Sequence, residues 1–218
     1  LFGTWILSFF VIYTDFNIEV DHALMETKRL SIVLERHIFG AVSQIEDSLF
    51  SLRQNWESGI KPNEMNYLLD YFVSSRRDLF NLITVIKADG YVLVTNQKST
   101  KPTYSGDRPF FIYHKDNSDR KIHIEPPILG RVTGKWYIPV SMRLNDKNGE
   151  FMGTLLASVN PYYFSMIFNE VNLGDQSIIY LSDSEGIIYS GMKGGKEISL
   201  DDQSLKDEAK TIIKDQSF

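Results

Sequence analysis

The sequence predicts an α/β (α+β) chain in which a long N-terminal helix packs on an antiparallel sheet module, followed by the beginning of a second, smaller module. Three observations predict it. From about Asn17 to Glu57 no proline interrupts a run with apolar residues at helical spacing. After that the period shortens to two, in β-rich runs separated by turn signals such as Ala88-Asp89-Gly90. Late in the chain the same pattern returns around Asp183-Ser184-Glu185-Gly186, a weak internal repeat.

Composition narrows the function classes. The 218 residues are 43% hydrophobic and 23% charged, with net charge −5, which is ordinary globular composition. The acidic balance and the absence of a long basic run argue against a nucleic-acid partner. With no cysteine there is no disulfide, no zinc-thiolate site and no thiol catalysis. Leu1 to Tyr13 carries no charge and is shorter than the roughly 20 residues that span a bilayer. A buried helix and a signal-peptide core are two readings of it. The third, which we prefer, is the trailing end of a transmembrane helix. Trp5 and Tyr13 suit its interface, and the chain leaves the membrane near Asp15.

The elements follow in order. In the long helix Ile38, Val42, Ile45, Leu49, Leu52 and Trp56 form a heptad seam, with Phe39 and Phe50 widening the apolar face. The seam fits either an ordinary core helix or one that also pairs with a second copy. Ser58 to Pro62 ends it. Asn63 is the expected N-cap of a second helix over Glu64–Ser75. Leu79–Ile86 and Tyr91–Thr95 form a hairpin. A polar loop over Lys98–Pro102 leads to a short helix capped by Asp107, with Pro109 in its first turn, running to about His114. Pro126-Pro127 inside Ile122–Leu129 marks an edge strand or a bulge. Trp136–Leu144 and Phe151–Val159 form a second hairpin around Asn145 to Gly149. Pro161 opens a short helix to about Val171. Ser177–Leu181 and Ile187–Ser190 are strands, Gly191 to Gly195 a loop, and Leu205–Lys214 a helix.

Two segments, Tyr104–Asn117 and Gly130–Leu144, interleave Arg108, Arg131 and Lys135 with Tyr104, Phe110, Phe111, Tyr113, Trp136 and Tyr137. Aromatic faces give rigid walls, and arginine gives a forked donor suited to a carboxylate. Neither a nucleophile–base pair nor a metal-ligand cluster accompanies them, so recognition of a small molecule is expected rather than catalysis, with no metal and no cofactor. Arg108 fits either a ligand contact or a local ion pair with Asp107. Arg131 fits a ligand contact, or a structural one to a carbonyl or to Asp107. Strand alternation sends Trp136 and Tyr137 to opposite faces, so a regular strand puts only one of them in a pocket. Arg143 is expected at solvent or at the domain interface.

The stretches DRPFFIYHKDN, PPILGRVTGKWYIPVSMRL and GEFMGTLLASVNPYYF resemble the double Cache (tandem PAS-like) extracellular sensor regions of bacterial membrane receptors, and most of all those preceding diguanylate cyclase (GGDEF) domains. The resemblance implies the end of a transmembrane helix over 1–14 and a connector helix over 15–58. It implies a membrane-distal PAS-like sensor module over 59–171 and the start of a membrane-proximal one over 172–218. It further implies a periplasmic or extracellular location, a homodimer through the long helix, and a small polar or anionic ligand, carboxylate or amino acid. Tyr104, Arg108, Phe110, Phe111 and Tyr137 are similar in order to the aromatic and arginine ligand contacts of amino-acid-sensing relatives. Asp107, Arg131 and Trp136 join them as candidates. Asn160 stands where those relatives place an aspartate for the ligand amine. A neutral amide loses that charge-assisted contact, which leaves simple carboxylates or other polar ligands open. Neither a GGDEF nor an EAL motif occurs, so a cyclase would lie beyond Phe218.

Overall fold

The computed structural model describes residues 2–97, 102–131, 133–169, 174, 177–204, 206–207 and 210–211, with side chains from residue 24 onward. Four helices and nine strands are described: α1 (Phe2–Glu57), α2 (Pro62–Ser75), β1 (Phe80–Lys87), β2 (Val92–Thr95), α3 (Pro109–Asp116), β3 (His123–Ile124), β4 (Ile128–Leu129), β5 (Trp136–Asn145), β6 (Phe151–Val159), α4 (Tyr162–Asn169), β7 (Ile178–Ser182), β8 (Ile188–Lys193) and β9 (Lys196–Glu197).

The chain divides into two compact units, Leu1–Gly40 and Ala41–Phe218. The first is the N-terminal part of α1, where Met25, Ile32 and Phe39, seven residues apart, are exposed. Among the described residues no helix is long and apolar enough to cross a membrane. The backbone of the expected membrane end is helical from Phe2, but its side chains lie outside the described ones.

In the second unit one sheet runs β2-β1-β6-β5-β3, all antiparallel, with β4 also on β5. Its two faces differ. On one, Ile83 and Val85 lie in register with Ala157 and Leu155, and these with Val140 and Met142. Every one of them is apolar and buried. Ala41, Ile45, Leu49 and Leu52 of α1 and Met65, Leu69 and Val73 of α2 are buried in the same unit. The central part of the expected heptad seam is therefore consumed inside its own chain, while Phe39 and Phe50 face outward. On the other face Thr84, Ser141, Arg143, Thr154 and Ser158 break the apolar runs, and α3 packs there against β5 and β6.

Pro139 lies inside β5, where a missing N–H would normally break a ladder. Its carbonyl accepts from Glu125 N at 3.0 Å, so its nitrogen faces the gap between β3 and β4. Pro126-Pro127 interrupts the edge at that gap, so the expected single strand is two short ones. Gly153, at φ +144°, has no room for a side chain, since a Cβ there would lie 2.0 Å from the Ile86 carbonyl oxygen.

Several boundaries differ from expectation. Lys61, not Asn63, caps α2, because Pro62 takes the first helical position and Glu64 reaches back to the Lys61 N–H. Arg108, not Asp107, is the N-cap residue of α3. Gly191 belongs to β8, and Gly194-Gly195 turns the chain into β9. The loop expected over Lys98–Pro102 lies outside the described residues except Pro102, and the helix expected over Leu205–Lys214 is described only in part. The small sheet β7-β8-β9 meets α4, where the Ser165 and Ser190 hydroxyls lie 2.8 Å apart.

Candidate functional site

Two loops overhang the polar face of the large sheet. The first, 102–108, is fastened to the β1–β2 turn. Val92 N donates to Thr103 O at 3.0 Å, Ser105 N donates to Gly90 O at 2.8 Å, and Tyr91 and Tyr104 form an antiparallel bridge. Their rings meet edge to face at 5.1 Å. Gly90 permits this crossing. Its φ is +84°, and a Cβ there would lie 2.6 Å from the Gly106 Cα. The loop ends at Arg108, whose extended backbone and following Pro109 start α3. Phe110 and Phe111 anchor that helix, buried with Ile86 and Leu156.

The second loop joins β4 to β5. Gly130 N donates to Lys135 O and Gly134 N to Gly130 O, both at 2.9 Å. A two-pronged ion pair ties the loops together, with Arg131 Nη1 and Nη2 donating to Asp107 Oδ1 and Oδ2 at 2.8 and 2.6 Å.

Beneath them lies a cleft of about 80 Å³, floored by Thr84, Ile86, Leu156, Ser158 and Tyr137 and walled by Tyr104, Ser105, Arg108, Arg131 and Thr133. One water-sized group needs about 10–15 Å³ by this measure, so the cleft suits a molecule of roughly five to eight heavy atoms. Arg131 is committed to Asp107 and holds that carboxyl below the usual range. Among the described residues no acid pairs with Arg108, whose Nη2 makes only a 3.4 Å contact to Leu129 O. Burial raises the Tyr137 phenol, opposed by Arg108 and Arg131, so it stays protonated and can donate.

Of the residues singled out from sequence, Tyr104, Arg108, Arg131 and Tyr137 meet at the cleft, with Asp107 at its mouth. Phe110 and Phe111 are under α3 rather than on the wall, because their rings fill the core beneath it. Trp136 faces away from the cleft and packs against Ile188 and Leu200 of the smaller module. Asn160 lies outside the lining. Its amide donates to Asp78 O at 3.2 Å and its Oδ1 accepts from Tyr162 N at 3.3 Å, so it serves the entry to α4. Sequence reasoning did not pick out Thr84, Ser158 or Thr133. Hydroxyls interrupting the apolar runs NLITVI and LLASV were the available signal.

The far end of α3 is also polar but closed. His114 is buried, with Nε2 3.0 Å from Ser141 Oγ. Burial first, and the neighbouring His123 second, lower its pKa to about 4. Arg143, expected at solvent or an interface, is buried. It donates to the carbonyls of His114 and, at 3.1 Å, Asn117, and to Asn145 Oδ1 at 2.8 Å. It thereby satisfies the last carbonyls of α3.

A family model described as a Cache domain matches residues 20–217. The chain is similar in structure to the extracellular domain of the putative histidine kinase rpHK1S-Z16, at 26% identity and TM-score 0.72, over 81% of this chain and 74% of that one. It is similar in fold to the ligand-binding domain of the Campylobacter jejuni chemoreceptor Tlp3, solved with L-valine, at 16% identity and TM-score 0.56, over 73% of this chain and 66% of that one. It is similar in fold, too, to the ligand-binding domain of the Pseudomonas aeruginosa PAO1 amino acid chemoreceptor PctC, solved with GABA, at 15% identity and TM-score 0.57, over 72% and 70%. The chain thus spans about two-thirds to three-quarters of the length of these structures. No curated protein matches it. With the family model covering nearly the whole chain, the protein belongs to the Cache domain family.

Proposed function

We propose that this chain is the extracytoplasmic sensing region of a bacterial transmembrane signalling protein, and that it recognises a small polar or anionic molecule in the cleft under Tyr104 and Arg108. The observation that carries the reading is Arg108, a cation with no ion-pair partner among the described residues, lining a half-open cleft of about 80 Å³. In this reading the large sheet is the membrane-distal module of a double Cache region, 59–171, and the small sheet opens the proximal one, 172–218. Residues 1–14 lead to the membrane and the sensing region lies in the periplasm. The homodimer uses α1, and the exposed row Met25, Ile32 and Phe39 supports that arrangement. The output is a diguanylate cyclase, as the resemblance of the Asp107–Phe164 stretches implies. A histidine kinase or chemoreceptor output is the second reading, favoured by the likeness to the histidine kinase extracellular domain.

Ligand transmits a signal only by binding one arrangement of the receptor better than another. A thermal-shift screen with carboxylates, amino acids, amines and purines tests the sensing role. A hit abolished by Arg108→Ala supports it. No hit in any class sinks it in favour of a ligand-free dimerisation domain.

A further inference from the structure

We infer that the cleft selects a short-chain carboxylate, plain or hydroxylated, that carries no ammonium group. This rests on the sensing role above and narrows it. The argument is a balance of charge over the elements that build the cleft. The described side chains that line it come from β1, β2, β5, β6 and the two loops. Those stretches contain one carboxylate, Asp107.

Asp107 itself is not open to a ligand amine. Both its oxygens accept from Arg131, at 2.8 and 2.6 Å, in a pair that joins the two loops. An ammonium would have to displace a guanidinium from a two-pronged contact, losing as strong a charge pairing as it gained. The remaining polar side chains of the lining, the Asn81 amide and the hydroxyls of its threonines, serines and tyrosines, are neutral. They suit a carboxylate oxygen or a hydroxyl. None supplies a charge to pair with an ammonium, and Arg108 would repel it. Asn160, the neutral residue at the position singled out for an amine contact, is turned to the α4 entry instead.

Isothermal titration of the full chain with matched ligands tests the inference. Propionate, L-lactate and L-alanine share three carbons; 2-hydroxyisovalerate and L-valine share a branched skeleton. The expected result is that the ammonium-free members of each set bind roughly tenfold tighter or more than its amino acid, as for loss of a charge-assisted contact. Asp107→Asn should tighten carboxylate binding, because it frees the Arg131 fork. Circular dichroism would confirm that this exposed substitution leaves the fold intact. If L-alanine or L-valine binds as well as its partner and Asp107→Asn weakens it, the inference is overturned while the sensing role stands. If none of the five binds, the inference also fails, and the broader screen then decides whether the sensing role fails with it.

Discussion

The two ends of α3 lie on one face of the same sheet and handle polar side chains in opposite ways. At the N-terminal end Arg108, Asp107 and Arg131 are part-exposed and grouped around open space. At the C-terminal end His114, Ser141, Arg143 and Asn145 are buried and grouped around backbone carbonyls and one another. By burial and by a displaced pKa alone, the closed end looks the more functional of the two. Yet its polar groups face one another, and its arginine spends its donors on Asn145 and on the carbonyls that end α3. A perturbed titration marks a site only when there is room beside it for a ligand. The closed end fastens the helix whose other end borders the cleft.

Arg143→Met should separate the two ends most sharply. It strips the last carbonyls of α3 of a buried charged donor, and we expect a loss of about 3 kcal/mol in urea denaturation, with weaker ligand binding following from a displaced Arg108. If stability holds while binding falls, the closed end belongs to the site and the contrast collapses. Acid should act on the closed end next. His114 has a folded pKa of about 4 against 6.5 in the unfolded chain, so the unfolded state takes up the proton first. Its contribution is intact above about pH 6.5 and is lost as the pH falls toward 4, by roughly 3 kcal/mol at most. Denaturation midpoints across that window should fall less steeply in His114→Gln than in the wild type.

The open end is probed by Gly90→Ala. The positive φ and the 2.6 Å approach to Gly106 should cost about 1–2 kcal/mol and displace Tyr104. Ligand affinity should drop by more than the melting temperature implies. The smallest effect is expected from Trp136→Leu. Trimming that ring should remove about 1 kcal/mol of packing on the small sheet and speed amide exchange in β8. Cleft affinity should stay within about twofold, as for a site with no shared partner. A large affinity loss would move Trp136 into the site.

Hairpins and helices were legible because their signals are local. Ala88-Asp89-Gly90 and Asn145 to Gly149 fix turns by glycine and aspartate chemistry, and β1, β2, β5 and β6 follow from them. The opposed faces of Trp136 and Tyr137 followed from the pleat alone. The α1 seam was ambiguous for a geometric reason. Over Ile38 to Trp56 a period of 3.5 and one of 3.6 diverge by only about 50°, at about 20° per heptad, less than the width of an apolar stripe. Ile45, Leu49 and Leu52 therefore read equally well as a dimer seam and as the core they are. Arg143 was opaque because its partners are carbonyls, which every residue carries. Asp107 was ambiguous because the same carboxylate suits a helix start or a guanidinium 24 residues away.

Trp136 and Tyr137 sit on adjacent α-carbons, about 3.8 Å apart, with one ring in the small sheet and the other in the cleft floor. A ligand against the phenol would lie one peptide unit from the indole on the reverse side, near enough to perturb the ring's surroundings although the cleft does not need the ring. The readout can therefore be optical. Indole emission should follow occupancy of a cleft that the indole never enters.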